Sequence, residues 1–214
     1  MDRSRAIFEG SLARYAGKPG VVISQGFLRL ESAILGVQNS IGFAVLKNEM
    51  APNATQVNDT ELRLDLTDNF IVTEMGLFIV KTAISGKLGG VELNTFVNSV
   101  LFPGAEATGM EQIYNANVNL QVNGETIIDK WDTFRHKRVG QAQKGVAGAV
   151  SNQWDNASYG FYPVTPQFSL NGNAKNQLVI NLPESAVMTG APGTFNYAVL
   201  VVRGLKIQNG SNIA

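Results

Sequence analysis

The chain has 214 residues, of which 44% are hydrophobic and 16% charged, with 17 Lys and Arg balanced by 17 Asp and Glu. This neutrality excludes a global field that would draw in nucleic acid or an anionic membrane, and the hydrophobic share excludes a disordered polymer. The absence of cysteine excludes disulfides, thiolate metal sites and cysteine nucleophiles, so packing alone must hold the fold. The first ten residues lack an apolar stretch behind their basic residues, and no run reaches about eighteen apolar residues, so neither a signal peptide nor a spanning helix is expected.

In chain order, Ile7, Phe8, Leu12 and Tyr15 lie on one face of a short helix that Gly17 and Pro19 would stop. This predicts a helical arm over residues 1–20, either packed on its own domain or reaching a neighbour. Residues 21–214 are expected to form a β-sandwich. Strand patterns run through Gly26 to Leu30, Ile41 to Leu46 and Glu61 to Leu66. In the last, Leu62, Leu64 and Leu66 alternate with Glu61, Arg63 and Asp65, as in a half-buried strand. Phe70 to Val80 is a longer apolar strand in which Gly76 marks a bulge or a close approach. The period then changes. Leu93, Phe96, Val97, Val100 and Leu101 have helical spacing, and Pro103-Gly104 would end that inserted helix.

Asn117 to Val122 alternates strictly, and Asn123-Gly124 supplies the two positive φ angles of a type I′ turn into a second apolar run ending at Trp131. A β-hairpin is expected. Residues 141–160 are polar and glycine-rich and predict a long surface loop. Strands resume over Val164 to Leu170, turn at Asn171-Gly172, continue over Gln177 to Leu182 and finish with Phe195 to Ile207. That final run is apolar enough for a central strand covered on both faces.

Catalytic inventory is sparse. His136 is the only histidine, the P-loop, Gly-x-Ser-x-Gly and His-Glu-x-x-His patterns are absent, and no cofactor or metal is expected. Asp65 with Asp68 and Asp129 with Asp132 have the positions of turn formers at strand ends. The residues left as candidates are contact residues rather than catalysts. Arg135, His136, Lys137 and Arg138 form the one basic cluster, fitted either to phosphate or to an acidic patch on a neighbouring subunit. Cations beside His136 would disfavour its imidazolium form. Trp154, Tyr159 and Tyr162 in or beside the glycine-rich loop could stack on a sugar, anchor a partner or plug the domain's own edge.

The segments FIVTEMGLFIV, LNTFVNSVLF, the stretch from Tyr114 to WDTFRHKR at Arg138, PVTPQFSLNG and LVINLP together resemble bacteriophage virion proteins of the jelly-roll capsid or capsid-associated type. The resemblance implies an all-β, jelly-roll-like sandwich without enzymatic activity. It also implies a homo-oligomer assembled in the host cytoplasm, which contacts copies of itself and other virion proteins. The rival function from the residues is a carbohydrate- or receptor-binding module of a phage appendage.

Overall fold

The computed structural model describes residues 6, 9–10, 13–15, 18–52, 54–139, 142–144, 150–152, 160–188 and 190–211, the backbone alone at 142–144, 150–152, 186 and 187. Among these residues lie ten strands: β1 (Val22–Ile34), β2 (Val37–Phe43), β3 (Asn69–Thr82), β4 (Asn117–Val122), β5 (Glu125–Asp132), β6 (Ala142–Lys144), β7 (Val150–Asn152), β8 (Phe161–Asn171), β9 (Asn176–Val187) and β10 (Phe195–Gln208). Two four-stranded antiparallel sheets make a sandwich, one in the order β1-β10-β3-β8 and the other β2-β9-β4-β5. β6 and β7 pair only with each other, so the predicted glycine-rich loop contains a short ribbon.

The order has a simple logic. With the β6–β7 ribbon set aside, the first strand pairs with the last, the second with the next to last, the third with β8, and β4 with β5. These are the pairs of one long folded hairpin. Two further pairings, β10 with β3 and β9 with β4, roll it into two layers. At its tip Asn123 and Gly124 have φ of 53° and 85°, the predicted type I′ geometry, and Val118 and Leu120 are buried.

One core lies between the layers, with Leu28, Leu30, Phe70, Met75, Leu77 and Leu200 from the first sheet and Ile41, Val118, Leu120, Leu178 and Ile180 from the second. β3 reaches this core from both of its halves only because the ladder slips at Thr73, which lets Phe70 and Val72 point inward before it and Met75, Leu77 and Ile79 after it. The bulge sits at Thr73, whereas Gly76 marks a close approach, its Cα lying beneath the Phe161 ring. The outer face of β3 and β10 is also covered. Phe78, Val80, Phe161, Tyr197, Val199 and Val201 pack there with Leu88, which explains the continuous apolar run of β10.

Two expectations fail. Residues 93–101 form turns and a bridge from Asn94 to Ile79 instead of a helix. The Asn98 side-chain oxygen accepts from the backbone nitrogen of Val100 at 2.9 Å, a local bond that competes with helix formation, and the backbone bonds that follow amount to a single turn closing on Leu101 and Phe102. Pro103-Gly104 opens a helix instead of ending one: α1 (Ala105–Glu111) follows Gly104 and leads into a 3-10 turn over Gln112–Asn115. Likewise Glu61 to Leu66 is not a sheet strand. It is a strap that meets Arg29 of β1 through Leu62 and the stretch after β2 through Leu64, so Arg63 and Leu64 are buried while Leu62 and Leu66 are exposed.

The arm is helical at residues 6, 9–10 and 13–15. Its Tyr15 is buried, and the hydroxyl accepts from Asn69 Nδ2 at 3.4 Å at the start of β3. Among the described residues no helix is long and apolar enough to cross a membrane.

Candidate interaction surface

After β5 the chain tightens into a 3-10 turn over Thr133–His136, entered through Asp132, whose carboxylate accepts from the backbone nitrogen of Phe134 at 2.9 Å. The Thr133 hydroxyl bonds both the nitrogen and the carbonyl of Ala116, at 3.0 and 2.8 Å, tying the turn to the base of the hairpin. This turn divides the basic cluster. His136 points in and is fully buried; Arg135 points out; Lys137 pairs with Glu111 of α1; Arg138 stays exposed while its backbone bonds Thr95. The four residues therefore do not form a single cationic patch.

Arg135 finds an aromatic seat instead. Its guanidinium carbon lies 4.9 Å from the Trp131 ring centre and 5.4 Å from that of Tyr162, and the two rings meet edge to face at 6.3 Å. Such cation–π contacts at exposed sites contribute about 0.5–1 kcal/mol each. The structure thus joins Arg135, His136 and Tyr162, and adds Trp131, which the sequence places only at the end of a strand. Trp154 and Tyr159 lie outside the described residues. Phe134 and Val139 expose most of their apolar surface on the same stretch. Among the described residues no cluster of three or more His, Asp or Glu side chains could hold a metal ion.

His136 ties the surface to the framework. Trp131 Nε1 donates to His136 Nε2 at 2.9 Å, so Nδ1 carries the ring proton and donates to the Gly160 carbonyl, also at 2.9 Å. Burial holds its pKa below the usual histidine value, with Arg135 and Arg138 acting in the same direction and the Gly160 carbonyl and Asp132 opposing. The cations foreseen beside it contribute, yet desolvation is the larger cause. Protonation would also set an N–H against the Trp131 N–H.

Below about pH 6.5 the unfolded chain takes up a proton that the native ring resists, so stability falls with falling pH and is fully present above that value. The urea midpoint is expected to drop between about pH 8 and about pH 5, and to drop less in His136→Gln. Equal drops in both proteins would refute this role. Compared by sequence with protein-family models and with curated proteins, the chain matches neither a family nor a relative.

Proposed function

We propose that the chain is a non-enzymatic structural subunit of a bacteriophage virion, a capsid or capsid-associated protein built on an eight-stranded jelly roll. The observation that carries this reading is the nested pairing of first strand with last, second with next to last, and so inward, rolled into two sheets. An eight-stranded sandwich of two Greek keys is the architecture of many viral shell domains, and also of lectins. The sequence resemblance favours the shell.

The sheet edges favour association through side chains over strand addition. β8 carries Pro163 and Pro166. β5 is interrupted by two register shifts against β4 and carries Glu125, Asp129, Lys130 and Asp132. Prolines, charges and bulges are the devices that stop open-ended sheet growth. A subunit with these two edges protected meets copies of itself more readily through faces and loops, where many modest contacts repeated by symmetry add up.

Light scattering across concentration, with negative-stain microscopy of the same sample, tests the proposal. Trimers, rings or shells are expected, and Arg135→Glu with Arg138→Glu should shift that equilibrium at least about tenfold toward monomer if these side chains make intersubunit contacts. A strict monomer at all concentrations would overturn autonomous shell formation. Glycan-array binding by that monomer, lost in Trp131→Ala, would establish the carbohydrate-binding function instead.

A further inference from the structure

We infer that Lys81, Glu106 and Asn196 form a self-modifying site, in which the Lys81 amine condenses with the side-chain amide of Asn196 to make an isopeptide bond, with Glu106 carrying the proton. The inference is independent of the virion reading, because it rests only on the interior of the sandwich.

The placement comes from register. Lys81 near the end of β3 and Asn196 near the start of β10 are direct cross-strand partners on antiparallel neighbours. Both continue the inward-facing series of their strands, after Ile79 and before Ala198. Side chains so paired start about 5 Å apart at Cβ, within easy reach of a lysine. Glu106, in the first turn of α1, joins them: one carboxylate oxygen accepts from Lys81 Nζ at 2.8 Å and the other from Asn196 Nδ2 at 2.6 Å. The amine nucleophile, the amide electrophile and a general acid–base thus share one carboxylate.

The surroundings suit that chemistry. All three side chains are at least nine-tenths buried. The Phe102 ring lies 5.6 Å from Lys81 Nζ. Asn196 is held through its nitrogen, which also donates to the Met188 carbonyl at 3.0 Å, while its Oδ1 is buried without a partner. Buried polar atoms of this kind are uncommon in native proteins and call for a reason. With no donor facing it, that oxygen cannot hold charge as an oxyanion when the carbonyl is attacked, so the step requires the proton that Glu106 takes from Lys81.

Gly190 completes the site. A side chain there would collide with Thr194 Oγ1 and press on Glu106 Oε1. Gly190 and Asn196 also border a cavity of about 290 Å³, which offers the leaving group a way out.

The reaction balances without a co-reactant. The Lys81 ammonium passes a proton to Glu106, and the neutral nitrogen adds to Asn196 Cγ. Glu106 protonates Oδ1 as the carbonyl is attacked and then relays protons to Nδ2 as the intermediate collapses. The C–Nδ2 bond breaks, the C–Nζ bond remains, and Nδ2 leaves as ammonium carrying the charge that Lys81 brought. Nothing is oxidised or reduced.

Intact-mass measurement of the purified, denatured full chain, followed by tryptic mapping, tests the inference. The expected mass is below the sequence value by one ammonia, with a branched peptide joining Lys81 to Asn196 and no cleavage after Lys81. Glu106→Gln and Lys81→Arg should restore the full mass, with circular dichroism confirming that each variant is folded. Full mass in the wild-type protein after prolonged warm incubation would overturn the inference, as would an ammonia loss that maps to a succinimide at Asn123-Gly124. A folded Glu106→Gln variant that still links would remove Glu106 from its role. The wild-type branched peptide decides the bond even where a variant does not fold.

Discussion

Gly204→Ala is expected to destabilise the protein by about 3 kcal/mol or more, at the upper end of what overpacking a close contact costs. Gly204 lies on β10 where the ladder to β3 slips, and the methyl group of an alanine would overlap the Ile71 carbonyl oxygen. The obstacle is backbone on a central strand, so no side chain can turn aside to relieve it. Thr73 holds the same bulge from the other strand, its hydroxyl donating to the Arg203 carbonyl at 3.1 Å. Loss of the bulge would swing one half of β3 off the core. A urea titration should show a much lower midpoint for the variant, or no folded baseline. A midpoint within error of the wild-type value would mean that the strands separate there without cost.

Arg63→Met is expected to cost about 3–5 kcal/mol, the range seen when one partner of a buried ion pair is removed. Arg63 Nη2 lies 2.7 Å from Glu61 Oε2, and both side chains are almost wholly buried. Nε donates to Glu61 Oε1 at 2.8 Å and Nη1 donates to the Glu49 carbonyl, so one guanidinium fastens the strap to the turn that follows β2. Without it the Glu61 carboxylate is left buried opposite no cation. Its remaining partner is the backbone nitrogen of Glu31, at 3.3 Å. The double variant Glu61→Gln with Arg63→Met should recover much of the loss, because a neutral amide replaces the stranded charge. Equal and additive losses in the two single variants would show that the pair is not coupled.

The strap bears on function through what it closes. By bonding β1 at Leu62 and the segment after β2 at Leu64, it covers parts of one edge region in each layer. With the prolines of β8 and the bulges of β5, much of the sandwich rim is then unsuited to strand addition. On the assembly proposed above, the surface built on Trp131, Arg135 and Tyr162 is one of those left for contacts. The proposed Lys81–Asn196 bond would staple β3 to β10 inside the same layer.

Local patterns were legible wherever a single neighbour decides the outcome. Asn123-Gly124 specifies its turn through two backbone angles, and the alternation of Val118 and Leu120 specifies which face of β4 is buried. The length and apolarity of Phe195 to Ile207 announce a central strand, since only a strand covered on both faces can hide so many apolar residues. Of the candidate contact residues, the stretch Arg135 to Arg138 was visible as a cluster of charge.

What tertiary structure alone decided depends on surfaces far apart in sequence. The spacing from Leu93 to Leu101 satisfies a helical period, yet the bridge to Ile79 and the side-chain bond of Asn98 to the Val100 nitrogen hold it in turns. The alternation of Glu61 to Leu66 gives no warning that Arg63 is buried beside Leu64, because a strap between two layers meets different surfaces at successive residues. Trp131 joins the candidate contact surface only because β8 brings Tyr162 beside it, and Lys81, Glu106 and Asn196 converge only through the rolled pairing of β3 with β10 and the seating of α1. Sequence periodicity records which side of a segment prefers to be dry, whereas the nested order of strands determines what each dry side meets.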